Sequence, residues 1–188
     1  PKDSKAYLRH VEELYVTDAY HSLSIEGYRV GAELIQRVKT GRWNPDDDEA
    51  DREQQNALAA RGYWQAFRAV QESLAKILNG ANPGTVVDED HSKWYAELFG
   101  PGVQARILMA VELAGYRQGP VHIRGSKHVP PPQEAVRDCM PAYFRLLQEE
   151  PDPAVRAVLG HFVFVYVHPY MDGNGRMGRF LMNAMLAS

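Results

Sequence analysis

Apolar residues recur at three- and four-residue intervals along most of this chain, and that period predicts a helical protein. Lys5–Ser22 carries Leu8, Val11, Leu14 and Val16 among charged neighbours and reads as a first helix, with Ser4 as its N-cap. Gly31–Lys39 turns Leu34, Ile35 and Val38 to one side of a short amphipathic helix. Beyond the loop Thr40–Pro45, the acidic run Asp46–Glu49 opens a long helix through Leu78, with Trp64, Phe67, Val70 and Leu74 as its core stripe. Asn79–Gly84 is a turn cluster, and Asp88–Phe99 reads as the next helix. Pro101 suits the first turn of another, Gly102–Leu113. Gln133–Glu149, Pro153–His168 and the helix-forming run Met177–Leu186 complete an all-α set.

Two stretches depart from that period. Val121-His-Ile-Arg124 and Lys127-His-Val129 alternate around Gly125-Ser126 and predict a small β-hairpin, ended by Pro130–Pro132. An isolated hairpin is marginal unless packed, and its free edge suits strand addition from a partner. His161–Val167 is β-branched and aromatic, which favours a strand, whereas its continuity with Ala154–Val158 favours a longer buried helix. His161, seven residues before His168, reads as a satisfied core histidine, and His91, Trp94 and Tyr95 as packing residues.

Composition bounds these readings. A chain of 188 residues, 45% apolar and 24% charged, suits one soluble domain with a real core. A net charge of −3 gives no global attraction to nucleic acid or to anionic membranes. One cysteine, Cys139, excludes an internal disulfide and fits a reducing, cytoplasmic compartment. No stretch approaches a membrane span, and the polar start is no signal peptide. The first residue is Pro1 rather than Met, so an excerpt of a longer protein is expected.

The densest chemistry is His168-Pro-Tyr-Met-Asp-Gly-Asn-Gly-Arg-Met-Gly-Arg179. His168 can accept a proton near neutral pH. Gly173-Asn174-Gly175 is a tight turn that leaves backbone amides unshielded at the start of a helix, which makes an anion site. Arg176 and Arg179 share a helical face and can hold successive phosphates, and Asp172 can hold Mg²⁺ against them. Gly173, Gly175 and Gly178 also match a dinucleotide fingerprint. Only ten residues follow Gly178, too few for the rest of a βαβ unit.

This stretch resembles the core motif of the Fic family, H-x-F-x-D/E-G-N-G-R/K-x-x-R, with Tyr170 where Phe is usual. The ring is retained, so the loop keeps its anchor. A second motif lies upstream. Ser22 and Glu26 stand one helical turn apart and Gly27 supplies a stop, but a carboxylate at a helix C-terminus opposes the dipole, which suggests a partner elsewhere. Ser22–Gly27 matches the family's inhibitory pattern S/T-x-x-x-E-G/N, and its position ahead of the core motif resembles the subclass with an N-terminal inhibitory helix.

The resemblance implies one Fic domain over 1–188, with an inhibitory helix at about 5–27, a flap at about 121–129 and the core motif at 168–179. It implies helix over His161–Val167. It implies AMP transfer from ATP to a Ser, Thr or Tyr hydroxyl of a target protein, with ATP as substrate and Mg²⁺ as cofactor. His168 would be the base, Asp172 the metal ligand, and Gly173, Asn174, Gly175, Arg176 and Arg179 the nucleotide site. Glu26 would pair with Arg179 and hold the site shut. Val121, His122, Ile123 and Arg124 would add a strand from the target, self-modification is compatible with the same chemistry, and a homo-oligomer is left open. The same architecture could instead remove AMP with Glu26 activating a water, or serve as a silent protein-interaction module. Relatives that transfer phosphate or phosphocholine depart in the loop or in nucleotide binding, and the intact Gly-Asn-Gly-Arg speaks against the phosphotransferase version.

Overall fold

A computed structural model describes residues 3–41, 51–123 and 125–188, with the main chain alone at 51–54. The acidic run Asp46–Glu49 and most of the loop before it lie outside the described residues, as does Arg124. Seven α-helices are found among the described residues: α1 Ser4–Ile25, α2 Ala32–Lys39, α3 Asp51–Leu78, α4 Pro83–Gln104, α5 Gln133–Glu149, α6 Pro153–Val167 and α7 Asn174–Leu186. The chain divides into two compact units, one of Glu72–Ser92 with Ala114–Ser188, the other of the chain up to Gln71 with Lys93–Leu113.

In the unit that contains α1 and α2, Asp3 rather than Ser4 caps α1, accepting from the Ala6 amide at 3.0 Å. The buried face of α1 is Tyr15, Ala19, Ser22 and Leu23, while Leu14 is 48% exposed. Of the expected stripe, Leu8, Val11 and Val16 are half-buried, and only Leu14 gives way to a neighbour, the more deeply buried Tyr15. Tyr15 packs edge-on to Trp64 at 4.6 Å and against Phe67 at 4.9 Å, and the Tyr63 hydroxyl donates to Asp18 at 2.6 Å. Asn56 accepts from the Arg29 amide at 3.1 Å, which ties the α1–α2 connection to α3.

Helix α4 corrects the expected break at Pro101. It begins at Pro83, where Asn82 accepts from the Thr85 amide at 3.0 Å, and continues past Pro101 to Gln104. Asparagine followed by proline is a helix start, and the apolar pattern over Asp88–Phe99 detected only the middle of the element. Of the expected helix Gly102–Leu113, the first three residues belong to α4 and the last four form a short 3₁₀ turn, Ala110–Leu113.

In the other unit, α5 buries Val136, Met140, Tyr143, Phe144 and Leu147. Asp152 caps α6, accepting from the Ala154 and Val155 amides at 2.8 and 3.1 Å, with Pro153 in the first turn. The strand-like run His161–Val167 is helical, as the resemblance implied. Its packing on α7 outweighs β propensity, which measures fit to a pleated surface rather than an intrinsic backbone preference. Tyr143 donates to the Gly160 carbonyl at 2.7 Å across the α5–α6 contact. His161 is not the satisfied core histidine expected: its buried Nδ1 has no hydrogen-bond partner among the described residues.

Candidate active site

The α6–loop–α7 corner places the residues of the core motif. Helix α6 ends on His168, whose φ of 53° is left-handed, a conformation that costs a non-glycine residue roughly 1–3 kcal/mol. Its own bonds help hold it there. The His168 amide donates to the Phe164 carbonyl at 2.9 Å, and Nδ1 lies 3.1 Å from the Val165 carbonyl. A carbonyl only accepts, so Nδ1 carries the proton in that contact and Nε2 is the nitrogen that bears the lone pair.

The loop after His168 is fixed from below. Asn174, 2% exposed, accepts from the Tyr170 amide at 2.9 Å and donates to the Tyr170 carbonyl at 2.8 Å. Tyr170 is buried, its ring 5.7 Å from Tyr116 and 6.2 Å from Phe164, so the tyrosine does pack this loop down. Asn174 is the first residue of α7 rather than its cap. The cap is Gly173, at φ +78° and with no side-chain bond closing the helix start. The first amides of α7 therefore present their donors and the positive end of the helix dipole. Asp172 accepts from the Gly173 amide at 2.6 Å through one oxygen, and its other oxygen lies 3.4 Å from the Arg176 guanidinium. The Asp172 side chain is 64% exposed and that of Arg176 only 2%, so the exposed carboxylate sits beside a buried cation. Gly175 and Arg179 are half-buried on the same helix.

One contributor escaped sequence reasoning. Arg117, 5% exposed, donates its main-chain amide to the Pro169 carbonyl and Nε to the His168 carbonyl, both at 2.8 Å. The rest of the guanidinium reaches the Gly119 carbonyl at 3.0 Å and the Pro131 carbonyl. Burial pulls this group below its ordinary pKa and the Glu134 carboxylate opposes that, and it remains a cation. The only sequence signal was a lone arginine in Gly115-Tyr-Arg-Gln-Gly119, where a helical pattern stops.

The segment expected as a hairpin forms no strand among the described residues. Val121 and Ile123 are half-buried and His122 is exposed. A turn does form, with the Ser126 amide on the Ile123 carbonyl at 3.0 Å. Beyond it His128 stacks on Tyr166 at 4.0 Å and bonds its carbonyl at 2.8 Å. Within this segment His128 is thus held by α6, and no cross-strand ladder forms among the described residues.

Ser22, Glu26 and Gly27 belong to the other unit. Gly27 stands at φ +88°, and the Tyr28 and Gly27 amides close on the Leu23 and Ser24 carbonyls, both at 3.0 Å, as a Schellman motif. Ser22 is buried within α1 and Glu26 is half-buried at its C-cap. The helix stop read from the sequence is thus present.

Among known proteins, the chain is 28% identical over 194 residues to the protein adenylyltransferase Fic of Nematostella vectensis, covering 99% of this chain and 40% of that protein. It is 26% identical over 189 residues to the protein of that name from Drosophila persimilis, covering 98% of this chain and 34% of the relative. The chain thus spans well under half the length of these relatives. A Fic family protein from Desulfovibrio desulfuricans G20 superposes with a TM-score of 0.66 at 24% identity, over 95% of this chain and 49% of that one. Fic-1 from C. elegans does so with the same score at 22% identity and the same coverages, and both show a shared fold. The model of the Fic/DOC family matches residues 90–186, which hold α5, α6, α7 and the whole core motif. On that match, which takes in just over half of its residues, the chain belongs to the Fic/DOC family.

Proposed function

We propose that this chain is the catalytic domain of a protein adenylyltransferase that transfers AMP from ATP to a Ser, Thr or Tyr hydroxyl, and that Glu26 restrains it. The observation that carries the reading is the His168 corner: a left-handed histidine with Nδ1 against a carbonyl, one clamped loop away from a glycine-capped helix start bearing two arginines. Adenylyltransferase is also the name borne by relatives aligned over nearly all of this chain.

In this reading His168 Nε2 takes the proton of the target hydroxyl, whose oxygen attacks the α-phosphorus of ATP as the bond to pyrophosphate breaks. The α7 amides at Asn174 and Gly175 and the turn at Gly173 cradle the phosphates. Arg176 holds the β-phosphate from a buried position and Arg179 the γ-phosphate. Mg²⁺ needs only one or two protein carboxylates when phosphates complete its shell, and the exposed Asp172 suits it. When bound there it would offset charge on the α- and β-phosphates. Val121–Arg124 serve as the docking edge, taking an extended target segment. A groove of about 460 Å³ is lined in part by Val121, His122 and Pro130–Pro132. Glu26 and the γ-phosphate compete for Arg179, so the enzyme is held off until that pairing is released.

The test is self-labelling. The Glu26→Gly protein should take up label from α-³²P-ATP and not from γ-³²P-ATP, and more than wild type does. His168→Ala in the same background should take up none. Equal labelling of wild type and Glu26→Gly would remove the restraint, and label arriving from the γ-position would replace AMP transfer with phosphoryl transfer.

A further inference from the structure

Arg117 stands outside the core motif and outside the flap, yet its bonds reach both. Two successive carbonyls of the catalytic corner, those of His168 and Pro169, accept from its side chain and its own amide, both at 2.8 Å. The far end of the same guanidinium binds Gly119 and Pro131, the residues on either side of the flap segment. All of these partners lie within one compact unit. The side chain is also 5% exposed, so it is not a surface cation that happens to fall near carbonyls.

We infer that Arg117 is a positioning residue that ties both ends of the flap to the main chain of His168, so that docking of the target and aim of the base move together. Physically, His168 occupies a left-handed conformation that a non-glycine residue leaves readily unless its peptide is held. Its carbonyl has no helical partner ahead, because α6 ends at Val167, and the Arg117 Nε supplies one. The flap segment lacks a strand ladder among the described residues, so its two ends depend on other anchors, and the planar fork of arginine serves both at once. A lysine offers one point of attachment where arginine offers three, so the two are not equivalent here.

The catalytic part of this inference rests on the AMP-transfer reading, and the tie itself is tested without it. Hydrogen exchange followed by mass spectrometry should show peptides over 119–132 and over 166–172 exchanging faster together in Arg117→Met, by about tenfold, with α5 unaffected. Arg117→Lys should loosen the same two peptides to a smaller degree. Faster exchange in only one of the two, in neither, or throughout the chain in both variants would overturn the tie. In the Glu26→Gly background, Arg117→Met should lower the maximal self-labelling rate by about a hundredfold, the scale set by misaligned reacting groups, and leave the half-saturating ATP concentration within about twofold. Arg117→Lys should recover part of the rate. An unchanged rate, or a rise in half-saturating ATP that accounts for the whole loss, would overturn the positioning role. Absence of labelling in Glu26→Gly itself would instead count against AMP transfer, and the exchange result would still decide the tie.

Discussion

Asn174 holds Tyr170 at both ends of one residue, accepting from its amide at 2.9 Å and donating to its carbonyl at 2.8 Å. The asparagine of the Gly-Asn-Gly turn therefore serves the loop as a clamp. Replacing it with alanine removes two buried hydrogen bonds at once. Asn174→Ala should lower the unfolding free energy by about 2–4 kcal/mol in urea titrations. Asn174→Asp retains the acceptor but sets a buried carboxylate oxygen against the Tyr170 carbonyl, so at neutral pH it should be at least as destabilising as alanine.

Helix α7 approaches α6 closely at Gly178. A Cβ there would stand 2.9 Å from a Val165 methyl and 3.2 Å from His161 Nδ1, both side-chain atoms that can give a little. Gly178→Ala should cost about 1–3 kcal/mol and reduce labelling in the Glu26→Gly background, because Arg176 and Arg179 ride on the displaced helix. At Gly84 the obstruction is main chain, with Gln148 N at 2.4 Å and Leu147 C at 2.5 Å. Gly84→Ala should therefore be the more destabilising of the two, by more than about 3 kcal/mol in the same titration.

His91 is buried against Phe144 at 4.6 Å, with Nδ1 on the Val87 and Asp88 carbonyls and Nε2 3.2 Å from the Tyr116 hydroxyl. Burial pushes its pKa below 6.5, although those carbonyls and the Asp88 charge pull the other way. Burial, helped by Asp88, also pushes the Tyr116 phenol up to about 12, so it stays a donor to Nε2. The unfolded chain then binds the proton more readily than the folded one. Stability is fully present above pH 6.5 and falls as pH drops toward the folded-state pKa. The wild-type unfolding free energy minus that of His91→Gln should decline over that window by at most about 1.4 kcal/mol per pH unit. A difference that is flat between pH 7 and 5 would remove His91 as the titrating group.

Asp172 tests the metal assignment. Chelation with EDTA should abolish self-labelling of Glu26→Gly, and added Mg²⁺ should restore it. Asp172→Asn should need about tenfold more Mg²⁺ for half-maximal labelling, with the melting temperature little changed because the Asp172 side chain is 64% exposed. An unaltered Mg²⁺ requirement would exclude Asp172 as a ligand.

The sequence by itself determined the helical class, the positions of α2 and α5, the start of α6, most of α7, the stop at Gly27 and the residues of the core motif. Each is a local matter: a 3.6-residue period, a capping residue, a glycine at positive φ, or a run of charged groups whose spacing is their chemistry. It misjudged elements whose signals are weak or shared. Helix α4 starts on Asn82-Pro83, inside what reads as a turn cluster, and runs through Pro101. The alternating segment 121–129 carries a hairpin pattern, but an isolated pair of strands gains too little from its own ladder, and His128 binds the Tyr166 carbonyl instead. The strand-like end of α6 became helix through its packing on α7. Only the tertiary structure decided that His168 takes a left-handed conformation, that Asn174 clamps Tyr170, and that Arg117 reaches His168 from 51 positions earlier in the chain. Those bonds join main-chain atoms to distant side chains, and a backbone carbonyl leaves no mark in the identity of its residue.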